Sequence, residues 1–138
     1  MNRRVTGWAV VAAAGVGAML FAPVFGVAAL VVAVVVPLVL VLLVDEAALR
    51  WPVIAPLRPL IAVLVGLAAL IEVLFARGLP TLEAVRDFAT AAADGWLATL
   101  ESTWPARPEP RFLLFVPVLA LFAAVIGLEI VRRDRSSA

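Results

Sequence analysis

The run VAALVVAVVVPLVLVLLV, residues 27–44, contains no polar or charged side chain. As a helix, a stretch of this length reaches about 27 Å at about 1.5 Å per residue, close to the hydrocarbon thickness of a bilayer, about 30 Å. It reads as a membrane span. Pro37 lies inside it, where the missing N–H removes one backbone hydrogen bond and predicts a kink that neighbouring helices can cover. The rest of the chain is of the same character. Of its 138 residues, 65 % are hydrophobic and only 15 % charged, against roughly 45–50 % and about 25 % in soluble domains. Mean hydropathy is +1.14. At about 20 residues per span the length accommodates about four spans and no second, soluble domain.

Working outward, Pro23 and Gly26 mark a tight turn before this run, and an apolar stretch at 5–21 precedes them. The pair predicts a helical hairpin. Arg3, Arg4 and the Gly-Ala-rich region behind them also resemble a signal peptide, but a second apolar run follows at once and leaves no soluble product to export. On the other side, 45–59 holds charges, Trp51 and prolines 52, 56 and 59, and reads as an interfacial connection that ends the hairpin. A third span is expected at 58–76, closed by Gly78 and Pro80, and a fourth at 112–131, with Pro117 in its first two turns, where a proline costs least.

Residues 81–101 differ. At about 100° per residue, Leu82, Val85, Ala89, Trp96 and Leu100 share one arc, and Glu83, Asp87, Thr90 and Asp94 share another. This predicts an amphipathic helix lying in the interface, weakened near its end by Gly95. The expected fold is all-α: one polytopic membrane domain, 1–138, with about four transmembrane helices and one interfacial helix.

Arginine distribution orients it. Arg3, Arg4, Arg50, Arg58, Arg132, Arg133 and Arg135 fall on one side of such a bundle, and Arg77, Arg86, Arg107 and Arg111 on the other. The richer side is expected to be cytoplasmic. Both termini are then inside the cytoplasmic membrane and 77–111 outside. The acidic face of the 81–101 helix agrees, because carboxylates fit poorly against an anionic inner leaflet. Trp8 and Trp51 fall at the inner boundary and Trp96 and Trp104 in the outer segment, as indole rings at headgroup level should. Small-residue stripes, Ala9-Ala13-Gly17, Ala62-Gly66 and Ala120-Ala124, mark candidate helix–helix contacts.

The chemistry available is narrow. Neither Cys nor His occurs, which removes disulfides, thiolate nucleophiles, the commonest general base and the usual zinc and haem ligands. No glycine-rich phosphate loop or metal-ligand cluster occurs either, so no catalytic, cofactor or metal site is expected and the chain is read as non-enzymatic. The arginines are dispersed, which argues against nucleic acid. Glu72 is the notable ionisable group, lying within a span. An ion or proton site is the sharper reading, and snorkelling or pairing with Arg77 near the outer end the blander one. Glu129 has Arg132 and Arg133 three and four positions on, the spacing of a local ion pair. Asp45 and Glu46 are adjacent, point about 100° apart, and are expected at the interface without a partner base.

The segment GWLATLESTWPARPEP, residues 95–110, followed by RFLLFVPVLALFAAVIGLEIVRR, resembles the membrane region of bacterial TgpA-type transglutaminase-like membrane proteins. GLPTLEAVRDF and RPLIAVLVGLAALIEVLFARG before it fit that family's order of elements. The resemblance implies a bacterial inner-membrane anchor that precedes an extracytoplasmic domain with a Cys-His-Asp triad. This chain has no residue onto which the triad can be carried. It implies, then, a non-catalytic anchor or scaffold, the N-terminal portion of such a protein or a separately encoded version, working with a membrane-protein partner or as an oligomer. Trp96, Trp104, Pro105 and Arg107 would fix the outer loop. The alternative is a small transporter or channel subunit using Glu72.

Overall fold

In the computed structural model, which describes residues 3–76, 81–101 and 110–134, the chain is helical, with no strand among the described residues. Helix α1 spans Arg3–Met19, and the short α2, Ala22–Phe25, follows after a turn. Gly26, at φ +85°, then redirects the chain. Its N–H closes α2 on the Ala22 carbonyl, and its own carbonyl accepts the first bond of α3, from Leu30. A side chain would be strained in this left-handed conformation, which is why glycine occupies the turn. Helix α3 covers Val27–Arg50, a 3₁₀ turn covers Pro52–Leu57, and α4 covers Arg58–Leu74. Helices α5, Leu82–Glu101, α6, Pro110–Leu113, and α7, Phe115–Asp134, complete the order.

Three helical stretches are long and apolar enough to cross a membrane, Val27–Arg50, Pro52–Leu74 and Phe115–Arg133; the apolar helix Arg4–Met19 is shorter. Two expected boundaries move. Helix α3 does not stop at residue 44 but runs on through Asp45 to Arg50, because Ala47, Ala48 and Leu49 sustain helix until Pro52 bars α-helical geometry at the residue before it. The last long helix starts at Phe115, after a break at Leu114. Pro117 has no N–H to offer the carbonyl of Leu113 four residues earlier, so the ladder breaks at that point and resumes with Val118 N–H on the Leu114 carbonyl.

Packing selects one stripe from each helix. Helix α3 is apolar all round, yet it buries Leu30, Ala33, Val34, Pro37, Leu38, Val41, Asp45 and Ala48, at three- and four-residue spacing. Val32, Val35, Val36, Val39 and Leu43 point outward. The Pro37 ring is fully buried within a continuous helix. Against α3 pack α1, α4 and α7, and α7 also contacts α1 and α4.

Close approach is obtained from small residues. Ala62 and Gly66 on α4 and Ala120 and Ala124 on α7 are buried, as their spacing predicted. A Cβ on Gly66 would meet Leu121 Cδ2 at 2.9 Å, and one on Gly127 would meet Val10 Cγ1 at 2.6 Å. The Ala9-Ala13-Gly17 stripe is a correction: all three are exposed, and α1 packs through Gly7, Val11 and Ala18 instead. The alanine-rich α1 offers small residues on several faces, so spacing alone did not choose between them.

Candidate functional site: an interhelical ion network

Helices α1, α3, α4 and α7 run alternately up and down, which gathers the N-terminal ends of α1 and α4 and the C-terminal ends of α3 and α7 at one end of the bundle. Charges cap the apolar runs there. Asp45 stands one turn before the end of α3, Arg58 opens α4, and Glu129 and Arg132 lie one turn apart on α7.

Arg132 donates to both carboxylate oxygens of Asp45, from Nε to Oδ1 at 3.0 Å and from Nη2 to Oδ2 at 2.5 Å. Arg58 Nη1 lies 3.7 Å from the same Oδ1. The Arg58 guanidinium also donates to Glu129 Oε1, through Nε at 3.0 Å and through Nη2. The result is a chain of alternating sign, Arg132, Asp45, Arg58, Glu129, which ties α3, α4 and α7 together. Side-chain exposures of 16, 10, 13 and 23 % respectively put it largely out of water, where bidentate guanidinium–carboxylate geometry matters most. A void of about 10 Å³ beside it is lined by Val41, Asp45, Arg58, Pro59, Ala62, Val125, Leu128 and Glu129. That is at the lower limit for one water molecule.

A second, wetter cluster adjoins it. Glu46 meets Arg4 Nη2 at 2.8 Å and Arg50 Nη2 at 3.8 Å, with the two arginine side chains 59 and 70 % exposed. Such pairs contribute about 0–1 kcal/mol. No side-chain nitrogen or oxygen that is fully buried lacks a hydrogen-bond partner among the described residues.

One expectation about charge is thereby corrected. Glu129 pairs not with Arg132 or Arg133 on its own helix but with Arg58, seventy-one positions away. Asp45, expected to have no partner base, is buried and bonded to Arg132 with Arg58 close by, an ion pairing that its sequence neighbours did not display. Local spacing permits the Glu129–Arg132 pair, but the antiparallel packing brings opposite charges from other helices into better geometry. The signal was present in the sequence, since charges of alternating sign terminate runs whose ends must meet in an up-down bundle.

The opposite end of the bundle carries Glu72 and helix α5. Glu72 sits two residues before the end of α4, is partly buried, and has no hydrogen bond or ion pair among the described residues. Helix α5 begins with Thr81 Oγ1 accepting from the Ala84 N–H at 3.2 Å, a cap for the first turn. It docks through Ala84, Phe88, Ala91 and Gly95. Phe88 meets Phe75 at the end of α4 edge to face, with centroids 6.0 Å apart and planes at 81°. Leu82, Val85 and Ala89, from the arc expected to be the apolar face, are exposed, as are Glu83, Asp87, Thr90 and Asp94 on theirs. The helix thus has three faces rather than two: a small-residue face on the bundle, an acidic face, and an outward apolar one. Trp96 belongs to α5, its side chain outside the described residues; Trp104, Pro105, Arg107 and Arg77 lie outside them altogether.

No group of three or more acidic side chains that could hold a metal occurs among the described residues. Comparison with protein-family models, with curated proteins and with solved structures finds no match to this chain.

Proposed function

We propose that the chain is a non-catalytic membrane anchor or scaffold, four helices crossing the cytoplasmic membrane with both termini inside and α5 lying in the outer interface. The observation that carries this reading is the closed ion network: Asp45, Arg58, Glu129 and Arg132 are bound to one another across α3, α4 and α7. A transport pathway needs the opposite, ionisable groups open to water near the midplane. Helix α1, too short by itself, crosses together with α2, since the two occupy Arg3–Phe25 with only a turn between them. In α5 the outward Leu82, Val85 and Ala89 rest in the headgroup boundary while the acidic face meets water. Such a rigid base suits a module that presents its outer segment, with Trp96, Trp104, Pro105 and Arg107, to a membrane-protein partner or to a second copy. That role agrees with the resemblance to the membrane region of transglutaminase-like proteins.

The test is native electrophoresis of membranes dissolved in mild detergent. A discrete complex well above 14.6 kDa, lost when Trp96 and Trp104 are replaced by alanine while the four-helix unit still purifies folded, supports the scaffold. A folded protein that migrates as a monomer in native membranes removes it. The transporter reading rests on Glu72, which lies two residues before the end of α4; with α4 as a span, that is near a membrane boundary, where a carboxylate costs less than at mid-membrane.

A further inference from the structure

We propose that the groove between the first turns of α1 and the end of α3 binds the headgroup of a phospholipid bearing a primary ammonium, of the phosphoethanolamine class. The groove has a volume of about 540 Å³, and Arg4, Val5 and Trp8 from α1 and Glu46 from α3 line it. This is within the range of small-molecule sites, about 300–1,000 Å³.

Its lining is graded along the bundle axis. Arg4 and Glu46, paired at 2.8 Å, stand at the level where the apolar run of α3 has just ended. Trp8 lies one helical turn deeper on α1 and is 63 % exposed, so its ring is offered to the groove and to lipid. A phospholipid has the same gradient, with charge at one end and glycerol and acyl carbons below it. Indole rings favour the level between the two.

Charge selects the class. The Glu46 carboxylate has about four acceptor positions, and the two guanidinium groups beside it, Arg4 Nη2 at 2.8 Å and Arg50 Nη2 at 3.8 Å, leave room for an ammonium. A primary ammonium donates hydrogen bonds to Glu46. A quaternary one cannot, and is bound through several aromatic faces, of which the described lining offers one.

The inference rests on the membrane placement proposed above, and its test separates the two. Trp51, Trp96 and Trp104 are replaced by Phe, leaving Trp8 as the only fluorophore, and the protein is placed in nanodiscs containing phosphatidylethanolamine, phosphatidylcholine or phosphatidylglycerol brominated high on the acyl chain. Half-quenching is expected at about threefold lower mole fraction of the ethanolamine lipid than of the choline lipid, the size of one exposed charge pair. Glu46→Gln should bring that ratio to about one, and Glu83→Gln, on the exposed acidic face of α5, should leave it unchanged. Equal quenching by ethanolamine and choline lipids, stronger quenching by the glycerol lipid, or a preference that survives Glu46→Gln overturns the headgroup site while keeping the membrane seat. Absence of quenching by every brominated lipid overturns both.

Discussion

Replacing Asp45 by alanine removes the carboxylate shared by two guanidinium groups and leaves Arg132 without its two hydrogen bonds of 3.0 and 2.5 Å. Breaking a buried ion pair from one side costs about 3–5 kcal/mol. Two features of this site lower that figure. Arg58 keeps Glu129, and Arg132, in the last turn of α7, can swing its head toward the headgroups. The expected loss is about 2–3 kcal/mol. Glu46→Ala, one residue along the same helix, removes contacts to arginines that are mostly exposed and should cost about 0–1 kcal/mol. The protein is purified in mild detergent and unfolded by rising mole fractions of dodecyl sulfate, with tryptophan fluorescence reporting loss of packing. A double-mutant cycle completes the assay. Coupling between Glu129 and Arg58 should be about 1 kcal/mol or more, and between Glu129 and Arg132 about 0.5 kcal/mol or less. If Asp45→Ala falls within about 0.5 kcal/mol of Glu46→Ala, or if Glu129 couples to Arg132 instead, the interhelical network is not what holds this end together.

Gly66→Leu should destabilise the bundle by about 1–3 kcal/mol in the same titration, because the added side chain enters the fully buried Leu121. Gly17→Leu, where a Cβ meets nothing within 4 Å, should be neutral or slightly stabilising; a reversal of this order would place the α1 stripe back at an interface. Phe88→Ala removes the edge-to-face contact with Phe75, worth about 0.5–1.5 kcal/mol beyond burial, and should speed amide exchange across 82–95 without changing exchange in α3. Glu72→Gln should leave ion flux in reconstituted vesicles at the background shared with the unaltered protein; a flux that the substitution abolishes would establish the transport reading.

The long apolar helices were legible from run length because 27–44 contains nothing that a soluble helix would turn toward water and 112–131 only Glu129, near its end. Which face of each span is buried was not. Helix α3 is Val- and Leu-rich on every side, and in lipid the choice is made by fit between backbones rather than by exclusion from water. Ala62-Gly66 and Ala120-Ala124 met that criterion; Ala9-Ala13-Gly17 has the same spacing but faces outward. Charge pairing was misread for a related reason. The three- and four-residue rule describes an isolated helix, and Glu129 has a better-placed arginine on α4. On α5 the large apolar residues were identified, but the docking face is made of alanine, glycine and Phe88, residues whose burial depends on a neighbour the sequence does not display.

In the proposed arrangement all four apolar helices cross the membrane, with the ion network on one side and α5 on the other. The chain has no cysteine, so single cysteines can be introduced without background at Val53, which is 85 % exposed, and at the exposed Glu83 and Arg133. Intact cells are treated with a membrane-impermeant maleimide before and after permeabilisation. Labelling of E83C in intact cells, with V53C and R133C labelled only after permeabilisation, is the predicted result. Labelling of E83C and V53C from the same side would contradict it.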